Sequence, residues 1–304
     1  MNRLKRFSLL TIIISSLLFS ISCRKDRIEK TMNEYESINS YLNTKKQAEQ
    51  VFVIDSNGTG PIVGNQGTRI WISKSCLQKP NGDTITWPYT VRLVELYKAK
   101  DIIYYQMPTV SSTGILENDG EIRLRAFKDD IELVFKPYPC GCNIEMPNQA
   151  PKSYMRVFYG IENTVTDWSS NGSLFGISSL ANPFFAHTDT SYQANIHRLG
   201  WIGCDSLAGN NTGPKLTFES STDELQNVGI FVYIPATRSV MQVYNMVSGS
   251  IPNNSSIKII CIGINGSGEL FTYYQTMTLT NNTTIDVVMT AISDADLTTL
   301  LNSL

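Results

Sequence analysis

His187 and His197 are the only imidazoles in this chain of 304 residues. Acid–base catalysis near neutral pH usually depends on histidine, so a site of that kind has at most two positions on which to be built. The chain also contains no GxSxG nucleophile motif, no HExxH metal motif and no cysteine–histidine pair with a known catalytic spacing. The sequence therefore predicts a protein that is not an enzyme and that requires no cofactor.

The first cysteine, Cys23, follows an N-terminus with the order of a secretory signal peptide. Basic residues come first, the apolar run of residues 7–19 comes next, and small residues precede the cysteine. This arrangement resembles the lipobox of bacterial lipoproteins. The resemblance implies that residues 1–22 are removed, that Cys23 carries the lipid, and that the protein is anchored in the outer membrane. Several acyl chains on one residue would make the attachment effectively permanent.

The remaining five cysteines, an odd number, leave at least one thiol unpaired in an exported chain. Cys76 and Cys261 lie in apolar runs, which predicts buried thiols. Cys140 and Cys142 lie in a loop rich in Pro and Gly, and we expect one of them to form a disulfide with Cys204. Cysteine and histidine are zinc ligands, but the spacing here does not match a zinc motif, so no metal is expected.

The formal net charge is −2 and the basic residues are scattered among acidic ones, so nucleic acid is not expected as a partner. Hydrophobic residues make up 42% of the sequence, which is typical of a globular protein, and 304 residues are enough for two ordinary domains. Residues 23–50 contain no Gly or Pro, and their apolar residues recur every three or four positions, which is typical of a helix. This segment is interpreted either as a tether above the membrane or as a helix packed on the first domain.

From residue 51 onward, short β-branched and aromatic runs alternate with turn sequences such as KPNGD, ENDG and FKDD. Because amphipathic helices do not separate these runs, the pattern predicts an all-β fold of antiparallel sandwiches. Residues 51–180 are predicted to form the first sandwich and residues 181–304 the second, with a short C-terminal helix. Ser293 is expected to cap that helix, and Asp294 and Asp296 to lie in its first turn.

Residues 67–137 resemble the ZU5-like β-sandwich module of bacterial exported proteins. The matching features are Gly67–Thr68, an NGD turn, the acidic Glu95 at the end of a strand, and the loop that runs to Gly120–Glu121. The resemblance implies a domain used for assembly and binding. The His-Phe-Ser step at which some ZU5 modules cleave themselves does not occur here. Residues 199–205, LGWIGCD, resemble the opening strand of a module found beside ZU5-like modules, and the second sandwich is expected to be transthyretin-like or immunoglobulin-like.

Aromatic residues are abundant and several are adjacent, as in Tyr104–Tyr105, Phe184–Phe185 and Tyr273–Tyr274. Neighbouring residues of a strand point to opposite faces, so one ring of each strand-borne pair must leave its own core. These observations leave three hypotheses. The first is a lipoprotein that binds a protein partner in the envelope, the second is a module whose exposed rings contact a glycan, and the third is an enzyme with an unrecognised site.

Overall fold

The computed structural model describes residues 32–57, 60–161, 167–209 and 212–304. The chain divides into two units, and Glu34–Leu304 is the compact unit that contains every element discussed below. Within these ranges, three short helices accompany many strands, which confirms the all-β fold class. The helices are α1 (Asn39–Lys45), α2 (Ala99–Tyr105) and α3 (Asp294–Asn302). Across the described ranges, no helix has both the length and the apolar character needed to span a membrane.

Three sheets and two short ribbons account for the strands of the described residues. Sheet 1 contains β1 (Gln50–Ile54), β5 (Tyr89–Leu96), β6 (Val110–Ser111), β7 (Gly114–Lys128), β8 (Ile131–Glu132), β11 (Arg156–Ile161), β12 (Asp167–Ser169) and β15 (Gly200–Leu207). Sheet 2 contains β2 (Ile62–Val63), β3 (Arg69–Ile72), β10 (Cys142–Pro147), β13 (Ala186–His187) and β14 (Ser191–Ile196). Sheet 3 contains β17 (Gly229–Ile234), β18 (Ser239–Val243), β19 (Ser255–Ile264), β20 (Leu270–Leu279) and β22 (Thr290–Ile292). The ribbons pair β4 (Leu77–Gln78) with β9 (Val134–Phe135), and β16 (Leu216–Glu219) with β21 (Thr283–Asp286).

Sheets 1 and 2 pack face to face around a first core. Period-two alternation places Leu93, Ile122 and Ile202 of sheet 1 opposite Ile70 and Ile144 of sheet 2, all fully buried. The exposed residues of β3, β10 and β14 consequently point away from this core on the outer face of sheet 2.

Both faces of sheet 1 are covered. Its second face shares a core with sheet 3 and all three helices, to which Trp168 and Trp201 contribute from sheet 1 and Phe231 from sheet 3. A third core lies on the far side of sheet 3 and includes residues of the ribbon formed by β16 and β21. The three cores together therefore cover both faces of sheet 1 and both faces of sheet 3.

The strands of residues 181–207 do not follow the expected division at residue 180. β13 and β14 belong to sheet 2, and β15 lies between β7 and β11 in the middle of sheet 1. Ile202 and Cys204 of β15 are completely buried in the first core, which is why this strand pairs there. The polar stretch before β13 is a surface loop with one 3₁₀ turn at Gly172–Phe175, rather than a linker between domains.

Between residues 32 and 49, the segment before β1 is only partly helical, since α1 has seven residues and Gln50 already begins a strand. Tyr35, Ile38 and Leu42 are buried. The Tyr35 hydroxyl donates to Asp223 at 2.7 Å. The part of this segment that lies within Glu34–Leu304 therefore packs on the folded body and is not an isolated tether.

The C-terminal helix is confirmed. The Ser293 side chain accepts a hydrogen bond from the backbone N–H of Asp296 at 3.1 Å, as expected of an N-cap. Leu297 and Leu301 are buried in the core between sheets 1 and 3.

Candidate functional site

The cysteines are arranged differently from the expectation. Cys140 does form a disulfide, but its partner is Cys76 and not Cys204. Cys204 points into the first core, as does Cys142, and both are free thiols. Burial raises the pKa of both thiols, so neither has the character of a reactive thiolate. Cys23, the predicted site of lipid attachment, lies outside the described residues.

The two histidines lie in different environments. The Nδ1–H of His197 donates to the carbonyl oxygen of Cys140 at 2.8 Å, and its ring packs near Tyr138. His187 is exposed in β13. A pocket beside His197 is lined by described residues that include no carboxylate and no thiol. The described ranges also contain no group of three or more His, Cys, Asp or Glu side chains able to hold a metal ion.

A buried acidic pair lies at the centre of β7, where the sequence ENDG was expected to form a turn. Glu121 faces Asp205 of β15, and Asn118 Nδ2 donates to both carboxylates, at 3.2 and 2.9 Å. Glu121 Oε2 and Asp205 Oδ2 are buried and have no partner among the described residues. Burial raises the pKa of Glu121 well above its ordinary value, and neighbouring Asp205 adds to the effect. Burial likewise raises the pKa of Asp205.

The carboxylate of Asp119, the residue that follows Asn118, is also buried, but its charge is paired. It pairs with Arg238 in the β17–β18 turn and with Lys152 at 2.9 Å, and the Tyr192 hydroxyl donates to it. Gly120 has a φ of +134°, and a Cβ there would collide with the ring of Tyr97. These contacts join the β17–β18 hairpin to sheet 1, so the cluster holds the layers together rather than presenting groups to a ligand.

Glu95, which carries part of the resemblance described above, is buried at the end of β5. Its carboxylate accepts from the backbone N–H groups of Gln66 and Thr68 at 2.9 and 3.0 Å, and from the side chain of Gln50 at 2.8 Å. Because every partner is a donor from the body itself, Glu95 fixes the loop between β2 and β3 and is not available to a ligand.

The outer face of sheet 2 presents an open groove of about 650 Å³. This volume is within the range usual for small-ligand sites. We call it the aromatic groove, and the side chains that define it are Trp71, Asn143, Glu145, Phe184, Gln193 and Asn195. Trp71 and Phe184 are 41% and 40% exposed, which is unusual for side chains of this size. The guanidinium of Arg156 stacks on the ring of Phe184, 4.3 Å from its centroid, and holds it in place.

Strand register arranges these residues in two rows. Trp71 lies opposite Asn143, which lies opposite Asn195; Arg69, Glu145 and Gln193 form the adjacent row. Directly opposed residues of antiparallel strands share a face, so each row crosses three strands and extends about 10 Å.

Only some of the polar groups of the groove form hydrogen bonds within the protein. Asn195 Nδ2 donates to Asn143 Oδ1 at 2.8 Å. Among the described residues, Asn143 Nδ2 and Asn195 Oδ1 have no protein hydrogen-bond partner, so the pair offers one donor and one acceptor side by side. Among the described residues that line the groove, Glu145 alone is charged, and it faces Arg69 at 3.9 Å.

The aromatic pairs of the sequence were partly informative about this groove. Phe184 is exposed and Phe185 is buried, so one ring of this pair does leave the core, although the pair precedes β13 and alternation did not indicate which ring would do so. Tyr104 and Tyr105 are instead both buried, because they lie on α2 and not on a strand. Trp71 was not singled out, although the alternation in RIWIS places Ile70 inward and Trp71 outward.

Comparison of the chain with models of protein families, with curated proteins and with solved structures found no match. The candidate site therefore depends on its own geometry: two exposed rings and a set of amides on the outer face of sheet 2.

Proposed function

We propose that the protein is a non-enzymatic lipoprotein of the outer membrane, attached through Cys23, whose folded body binds a component of the cell envelope through the aromatic groove. The observation that carries the binding proposal is the position of Trp71 and Phe184 on one groove with four amide side chains, those of Asn143, Asn182, Gln193 and Asn195. Exposed aromatic surface of this kind costs free energy in water unless a partner covers it.

The anchoring part of the proposal depends on the N-terminal pattern and can be tested separately. Cys23→Ser should abolish incorporation of a labelled fatty acid, because the thioether cannot form on a hydroxyl, and should leave an unprocessed precursor. Growth with the labelled acid, followed by gel analysis, measures both. Equal labelling of the variant and the parent would contradict lipid attachment at Cys23.

The binding part can be tested in intact cells with the full-length protein. A photoreactive benzoylphenylalanine in place of Ala186, which lines the groove, should crosslink to an envelope component. The same residue in place of Thr278, exposed on β20, is the matched control. We expect the crosslink from position 186 to disappear when Trp71→Ala is added. A crosslink that survives Trp71→Ala, or that forms equally from position 278, would remove the groove as the binding surface.

A further inference from the structure

The lining of the aromatic groove restricts the chemistry of what it can bind. Its planar rings lie beside amide side chains, and the one charged group among its described lining residues is the carboxylate of Glu145. An anionic ligand would meet the carboxylate of Glu145, and the two guanidinium groups beside the groove already contact other groups, Arg69 facing Glu145 and Arg156 stacking on Phe184. An entirely apolar ligand would bury the amides of Asn143 and Asn195 without hydrogen bonds. Burying an amide without a hydrogen-bond partner costs free energy, so such a ligand is disfavoured.

A neutral sugar satisfies both conditions. The C–H groups of a pyranose ring pack on the negative face of an aromatic ring, and its hydroxyl groups both donate and accept hydrogen bonds. Asn143 Nδ2 and Asn195 Oδ1 supply the complementary donor and acceptor next to Trp71 in the same row. The row crosses three strands, so Trp71 and the asparagine pair can contact successive parts of an extended chain.

We propose that the aromatic groove is a binding site for a neutral glycan chain, with Trp71 and Phe184 as stacking platforms and Asn143 and Asn195 as the hydroxyl-recognising pair. This inference rests on the proposed function, because it names the ligand class of the same groove. A peptide is the competing occupant, and it is separated from a glycan by the experiment below.

The structure supplies matched variants for the test. Trp71→Ala and Phe184→Ala remove the two platforms, whereas Trp87→Ala removes an indole that is 37% exposed outside the groove. Asn143→Asp keeps the oxygen that accepts from Asn195 but removes the unpartnered donor. All four side chains are at least partly solvent-exposed, and the melting temperature of each variant is compared with the parent first.

The measurement is affinity electrophoresis of the detergent-solubilised full-length protein in native gels. The gels contain a soluble glucan, galactomannan or xylan, or polygalacturonate as the acidic counterpart. We expect a neutral polysaccharide to retard the parent and Trp87→Ala equally. Trp71→Ala and Phe184→Ala should each weaken binding roughly tenfold or more, because central aromatic contacts dominate such sites. Asn143→Asp should weaken it severalfold.

Each remaining outcome overturns the inference in a different way. If polygalacturonate is the only polysaccharide that retards the protein, the ligand is acidic and the inference of a neutral glycan is wrong. Retardation that survives both ring substitutions would place the glycan elsewhere on the protein. If no polysaccharide retards the parent while the crosslink from position 186 still depends on Trp71, the groove binds another class of partner; the proposed function then stands and the glycan inference fails. If replacing Trp71 changes neither the crosslink from position 186 nor the retardation in the gel, the proposed function is rejected as well.

Discussion

At the scale of single residues, the most unusual feature is the pair of buried carboxyl groups, Glu121 and Asp205. Each keeps one oxygen without a partner among the described residues, an arrangement that is tolerable only if protons remain bound. The folded protein therefore holds protons that the unfolded chain releases above the ordinary pKa of a carboxyl group.

The sign of the pH dependence follows from this difference. Where the folded state binds more protons than the unfolded state, stability falls as the pH rises, from the unfolded-state pKa up to the raised folded-state pKa. We expect the free energy of unfolding of Glu121→Gln, relative to that of the parent, to increase as the pH rises from about 4.5. Urea denaturation at a series of pH values measures this. The exposed Glu224→Gln is the control. A difference that stays constant with pH would contradict a bound proton at Glu121.

The disulfide is also a matter of single residues, and its pairing can be read from thiol counts. The bridge closes a separation of 64 residues, which corresponds to a stabilisation on the order of 4 kcal/mol. With Cys23 acylated, the denatured, unreduced protein should contain three reactive thiols, those of Cys142, Cys204 and Cys261.

Cys204→Ser distinguishes the observed pairing from a bridge to Cys204. Because Cys204 is free in the structure, its replacement should lower the count from three thiols to two. If Cys204 were bridged, its replacement would release its partner and the count would rise to four. Cys261→Ser should leave two thiols under either pairing and serves as the control.

At the scale of elements, long-range pairing decides the roles of β7 and β15. The ENDG sequence lies within β7, the longest strand, because Asn118 and Asp119 find partners in the β17–β18 hairpin instead of forming a turn. Arg238 donates from this hairpin to the carbonyl oxygen of Asn118 at 3.1 Å. Turn-forming residues thus remain in a strand where another element satisfies their polar groups.

The C-terminal helix offers a prediction at this scale. Ser293→Ala removes the acceptor for the N–H of Asp296, so we expect a loss of about 1 kcal/mol in the free energy of unfolding. Ser293→Asp retains an acceptor at the cap and should recover most of the loss. Chemical denaturation measures both. No change for Ser293→Ala would indicate that the packing of Leu297 and Leu301 alone holds the helix.

At the scale of the whole molecule, the central position of β15 predicts that a chain cut at residue 180 does not fold. Residues 34–180 lack the strand between β7 and β11, so two strand edges and the apolar face of the first core would be left open. We expect a poorly dispersed amide NMR spectrum for this fragment and a well-dispersed one for residues 34–304. Cooperative unfolding of the shorter fragment would show that the division at residue 180 marks an independent domain.

Local features of the sequence were sufficient to predict the all-β class, the turns such as that at Asp129–Asp130, and the C-terminal helix with Ser293 as its cap. They were sufficient because alternation, turn preference and capping depend on residues close together in the chain. By contrast, the Cys76–Cys140 bridge, the place of β15 in sheet 1, the burial of Glu121 against Asp205 and the grouping of Trp71 with Phe184 and Asn195 were decided only by the tertiary structure. Each of these joins residues far apart in sequence, and strand order and sheet stacking, which local patterns do not encode, determine which distant residues meet.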